Sequence, residues 1–130
     1  MDLINKNFIK FKNNSIELKR ENNTLRLIND SDHHGFFLCP KIFNPKKIKS
    51  VFIDFKGEIL RGNGAILQIL GTDRSILSET SFNSCSTYST NLKRFFFTIK
   101  IMAHSEIIIT KADVALSKKS VDVFSIFKKR

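Results

Sequence analysis

The 130-residue chain reads as one all-β domain, an antiparallel β-sandwich over residues 1–117, with 118–130 as a last edge strand or a linker tail. Three observations predict this. Apolar residues recur with a period of two along most of the chain, as strands with one buried face require. Asn, Gly, Asp and Pro break these runs at short, regular spacing, giving roughly eight to ten strands, the number a sandwich or barrel uses. No window carries a helical period beyond about two turns. At 42% hydrophobic the chain is too apolar for disorder, and a domain of this length buries roughly two-thirds of the surface its unfolded chain exposes.

The elements follow in order. Phe8–Lys12 and Ser15–Lys19 alternate, and Asn13-Asn14 between them tolerates the positive φ of a tight hairpin. Thr24–Ile28 sets Leu25 and Leu27 against Arg26 and Ile28. A polar loop, Asn29–Gly35, leads to Phe36-Phe37-Leu38. Pro40 and Pro45 fall in the next connection, where they remove no ladder bond. Ile48–Phe55 places Val51, Ile53 and Phe55 on one face, and Gly62-Asn63-Gly64 ends the segment that follows. Ala65–Leu70 sets Leu67 and Ile69 against Gln68; Gly71–Arg74 is a turn, and Ser75–Glu79 a short strand. Thr80–Asn91, rich in Ser, Thr and Asn, reads as a long loop or a weak edge strand. Lys93–Met102 is the clearest strand, with Phe95, Phe97, Ile99 and Ile101 opposed to Thr98 and Lys100. Ala103–Glu106 turns, and Ile107–Ser117 places Ile108, Ala112, Val114 and Leu116 on one face.

Composition narrows the function. Thirteen of fourteen aromatics are phenylalanine, which has no polar handle and mainly fills cores. The net charge of +10 attracts anions in general; a residue mix rich in Lys, Asn and Ile gives biased codon usage as the competing explanation. Cys39 and Cys85 form no disulfide framework and no C-x-x-C pair, so they are expected as thiols of a reducing compartment. The first residues hold no apolar h-region, and no run approaches the ~20 residues of a membrane span. The expected location is therefore cytoplasmic.

Enzyme motifs are missing: there is no G-x-S-x-G, no H-E-x-x-H and no P-loop, and Gly62-Asn63-Gly64 is a turn. Asp30-x-Asp32-His33-His34 is the most ligand-like cluster, with His104 or Cys39 as a distant partner. Neighbouring residues of a strand point oppositely, so a solvated loop is the preferred reading, and neither metal nor cofactor is assigned. Lys93-Arg94 beside Phe95-Phe96-Phe97 is the one place where basic and exposed aromatic residues could interleave for nucleic acid. A two-faced central strand explains it better, and nucleic acid is disfavoured.

Residues Ile48–Phe55, Gly64–Leu70 and Asp73–Leu77, with Phe95–Ile101 and Ile107–Leu116 as closing strands, resemble a jelly-roll carbohydrate-binding module over about residues 24–117. The resemblance implies a jelly-roll-like sandwich and a non-catalytic role. Such modules occur in secreted glycosidases, and similar sandwiches are attached to bacterial glycosyltransferases that build capsule or teichoic-acid-type polymers. The missing signal and the thiols point to the second setting. The expected function is a carbohydrate-binding or scaffolding module of a bacterial glycan-synthesising enzyme, its partners a glycan or that enzyme's catalytic domain. The alternatives are a docking or homo-oligomerising domain without a sugar site, and a basic binder of anionic surfaces. The family stacks sugar rings on exposed Trp or Tyr, so Tyr88, with Asn83, Asp73 and Arg74 as hydrogen-bonding neighbours, is the expected site.

Overall fold

A computed structural model describes residues 1–10, 15–41, 43, 49–89 and 94–117. Asn13-Asn14, Pro45, Ile48 and the tail 118–130 lie outside the described residues, as do Asn91 and Lys93. Among the described residues there are ten strands: β1 (Ile9–Lys10), β2 (Ile16–Glu21), β3 (Thr24–Asn29), β4 (Gly35–Leu38), β5 (Ser50–Arg61), β6 (Ala65–Gly71), β7 (Ile76–Ser81), β8 (Ser84–Ser89), β9 (Phe95–Ile101) and β10 (Ser105–Ser117). They form two five-stranded antiparallel sheets, ordered β1-β4-β9-β6-β7 and β2-β3-β10-β5-β8.

The two orders mirror each other. Chain neighbours β3 and β4, β9 and β10, β5 and β6, and β7 and β8 occupy matching places in opposite sheets. The chain thus crosses between sheets at nearly every turn, which is jelly-roll topology. The predicted sandwich is therefore correct. The inner faces meet in one core holding Leu25, Leu27, Phe37, Ile53, Phe55, Leu67, Phe95, Phe97 and Ile107. Phe43 stacks on Phe95 at 5.6 Å and meets Phe97 edge-on at 5.2 Å, geometries that aromatic quadrupoles favour.

Three local expectations change. The first two strands are not a hairpin: β1 pairs with β4 and β2 with β3, so the chain changes sheets between them. The tight turn is instead Asn22-Asn23, where Glu21 faces Thr24 and Asn22 takes φ 55°. β5 runs on to Arg61, because Gly57 lets the backbone of β10 approach where a Cβ would stand 1.9 Å from the Ile108 carbonyl oxygen. On β10 a register shift between Ile109 and Lys111 inverts the inward parity. Ile107 and Ile109 are buried before it, Ala112 and Val114 after it, and Ile108 faces away from the core.

Candidate functional site

The outer face of the β1-β4-β9-β6-β7 sheet carries a groove. Directly paired residues share a face, so the register fixes three rows across it. Phe36, Lys100 and Ile66 form one row; Leu38, Thr98, Gln68 and Glu79 the next; Phe96, Leu70 and Ile76 the third. The residues between them (Phe37, Phe97, Ile99, Leu67 and Ile69) are buried in the core, so the rows face outward. With alternate residues ~6.6 Å apart and strands ~4.8 Å apart, the surface is about 13 by 14 Å. The groove encloses about 630 Å³, within the range of small-molecule sites.

Its chemistry is amphipathic. Phe36, Leu38, Leu70 and Phe96 are half-buried and supply flat apolar walls, and Ile76 stands 56% exposed at the β7 edge. On the floor, Thr98 is 1% exposed and its Oγ1 has no hydrogen-bond partner among the described residues. A buried hydroxyl in that state costs about 1–3 kcal/mol. Beside it the Gln68 amide donates to Glu79 Oε2 at 3.0 Å. Among the described residues, the charged side chains lining the groove are Arg74 and Lys100, and neither forms an ion pair.

Arg74 is held by the β6–β7 turn. Its N–H donates to the Gly71 carbonyl at 3.0 Å and the Gly71 N–H donates to the Ser75 carbonyl at 2.9 Å. Asp73 Oδ1 accepts from the Ser75 N–H at 3.0 Å and from the Ser75 hydroxyl at 2.6 Å. The hydroxyl bond first, then the amide bond, holds the Asp73 carboxyl below its ordinary pKa. Arg74 itself takes φ 68°, unfavourable for a residue with a Cβ.

The four residues expected to form the site are not brought together. Arg74 lines the groove, and Asp73 closes the turn that presents it. Asn83 lies at the far end of β7, whose six residues span about 20 Å. Its Oδ1 accepts from the Gly57 N–H at 2.9 Å and ties the β7–β8 turn to β5. Tyr88 lies on edge strand β8 of the other sheet. Paired with buried Val51, it points inward, half-buried against the core. The Thr80–Ser86 hydroxyl bond joins β7 to β8 and sets Tyr88 toward the Arg74 end.

The groove residues do leave a signal in the sequence. Phe36, Leu38, Leu70 and Phe96 are apolar at positions where strict alternation calls for polar side chains. A two-faced apolar strand means that its second face is either covered or used.

Of the other ligand-like groups, His104, Asp32 and Asp30 are engaged in ion pairs. His104 Nε2 meets Asp32 Oδ1 at 2.5 Å and Asp30 pairs with Arg61 at 2.6 Å. No group of three or more His, Cys, Asp or Glu side chains among the described residues could hold a metal ion. Cys39 is a buried thiol. Cys85 is an exposed residue whose thiol donates to Asp54 Oδ1 at 3.3 Å; partial desolvation first, then that bond and the Asp54 charge, push it above its ordinary pKa. No helix among the described residues is long and apolar enough to cross a membrane.

No family model and no curated protein matches the sequence. By structure, the chain is similar to a solved protein described as "CBM4 structure and function", a carbohydrate-binding module. The two share 10% sequence identity over 89% of this chain and 92% of that one, with a TM-score of 0.60. The fold is thus an antiparallel β-sandwich shared with that protein.

Proposed function

We propose that the protein is a non-catalytic carbohydrate-binding module whose site is the Phe36–Phe96–Thr98 groove. The observation that carries this reading is the buried Thr98 hydroxyl, without a partner among the described residues on the floor of a groove walled by Phe36, Leu38, Leu70 and Phe96. A sugar ring offers both things the groove lacks. Its C–H face packs against flat rings such as Phe36 and Phe96, and its hydroxyls pair with Gln68 and, once a side chain over the floor moves aside, with Thr98, whose Oγ1 is closed to water in the unliganded groove. The fold shared with a carbohydrate-binding module supports the same reading.

The setting we infer is cytoplasmic, beside a bacterial glycan-synthesising transferase. Two thiols without a disulfide, suited to a reducing compartment, support it. A second reading, a protein-docking or self-associating face, is favoured by Ile9 and Ile76, 55% and 56% exposed on the two outer strands of the groove sheet. A glycan array followed by titration calorimetry separates the two. The glycan reading expects weak binding that Phe96→Ala reduces several-fold, a loss of about 1 kcal/mol of stacking. Binding of no glycan, together with a concentration-dependent dimer that Ile76→Ser disrupts, would select the docking face.

A further inference from the structure

We propose that the groove selects an acidic glycan, a chain bearing carboxylate or sulfate groups, with Arg74 and Lys100 as its anion-binding residues; this rests on the glycan reading above. Among the described residues, both charged side chains lining the groove are cationic. Lys100 is half-buried in a row between Phe36 and Ile66, and among the described residues no carboxylate lies within ion-pair distance of it. An ammonium partly withdrawn from water beside apolar walls gains more from a bound anion than one in open solvent does. The carboxylate in the neighbouring row, Glu79, stands at the β7 edge and accepts from Gln68.

Spacing narrows the ligand further. Lys100 and Phe96 are four residues apart on β9, about 13 Å, and Arg74 lies beyond the Phe96 row, in the turn that follows the Gly71–Phe95 pair. The two cations thus enter the groove toward opposite ends, where a chain carrying charges at intervals can engage both. Between the cations the ligand must lie along Phe36, Thr98 and Phe96, which calls for a hydroxyl-bearing body with an apolar face. The acidic group and the sugar ring are therefore both specified. A peptide rich in carboxylates would satisfy the cations and leave the apolar floor unused.

The test must separate this pair from the general +10 charge. Titration calorimetry on the full chain at near-physiological salt would use polygalacturonate, dextran sulfate, neutral laminarin and polyglutamate. An acidic polysaccharide is expected to bind at least about tenfold tighter than laminarin or polyglutamate, and the first two polymers distinguish carboxylate from sulfate. Lys100→Ala and Arg74→Gly should each weaken that binding about tenfold, the loss of one charge-assisted hydrogen bond. Arg74→Gly relieves the positive φ, so its loss of affinity comes with unchanged or higher stability and does not reflect misfolding. Lys19→Ala, on β2 of the other sheet and 56% exposed, should change affinity less than about twofold. Laminarin binding as tightly as the acidic polymers overturns the selectivity and leaves the glycan reading standing. Equal binding of polyglutamate, or an equal loss in Lys19→Ala, reduces the proposal to bulk charge. Binding of none of the polysaccharides defeats both readings.

Discussion

Replacing Thr98 with valine exchanges a hydroxyl for a methyl on the groove floor and moves stability and binding in opposite directions. In the unliganded protein Thr98 is 1% exposed and its Oγ1 lacks a partner among the described residues. The hydroxyl is therefore dehydrated without compensation, at about 1–3 kcal/mol. Valine has the same branched shape, suits a central strand such as β9, and removes that penalty. Taking the low end, Thr98→Val should stabilise the protein by about 1 kcal/mol. With a urea dependence near 2 kcal/mol per molar, the midpoint rises by about 0.5 M. Glycan affinity should fall several-fold, since the ligand loses one hydrogen bond of about 1 kcal/mol. Urea unfolding followed by circular dichroism and calorimetry with a bound oligosaccharide give the two numbers. A midpoint that stays or falls would refute the reasoning, because it would mean the hydroxyl is already satisfied without ligand.

Two further predictions concern the scaffold. Gly57→Ala drives a methyl to 1.9 Å from the Ile108 carbonyl oxygen and 2.6 Å from the Phe82 ring; separating β5 from β10 should cost about 3 kcal/mol or more, and a urea midpoint shift under about 0.5 M would contradict it. Asp54 is 3% exposed and salt-bridged to Lys111 at 2.9 Å and Lys56 at 3.5 Å. Burial raises its pKa, but the bonds from Lys111 and Cys85 and the charges of both lysines outweigh it, so the carboxyl titrates below its ordinary 3.8. Its contribution is thus full above about pH 4 and lost as pH falls through the lowered value. Asp54→Asn should destabilise by about 2 kcal/mol at pH 7, after allowance for half-exposed lysines. The gap from the parent should close toward pH 2, and a gap independent of pH would contradict the ion pairs.

The sandwich was legible because its strands alternate: Leu25/Leu27, Val51/Ile53/Phe55 and Phe95/Phe97/Ile99 all face the core as their period requires. Parity failed on β10, where an unpaired residue at the register shift turns Ile108 outward. The early hairpin failed because Asn13-Asn14 carries turn chemistry but no information on which strand each arm will pair with. The site was only partly legible. Arg74, expected as a sugar-binding residue, lines the groove that is here proposed as the site. Tyr88 was selected for its chemistry, the sole amphipathic aromatic in a polar run, yet pairing with Val51 turns it inward. Phe36 and Phe96 read as core because a sheet whose second face is a groove has the same pattern as one buried on both sides.

The location of the ligand tests the account most directly. Backbone amide resonances would be followed by nuclear magnetic resonance as a bound oligosaccharide is titrated in. Shifts are expected to concentrate at Phe36, Leu38, Gln68, Phe96, Thr98 and Lys100, across β4, β9 and β6. Shifts clustered on β8 around Tyr88, with the groove amides unmoved, would contradict it.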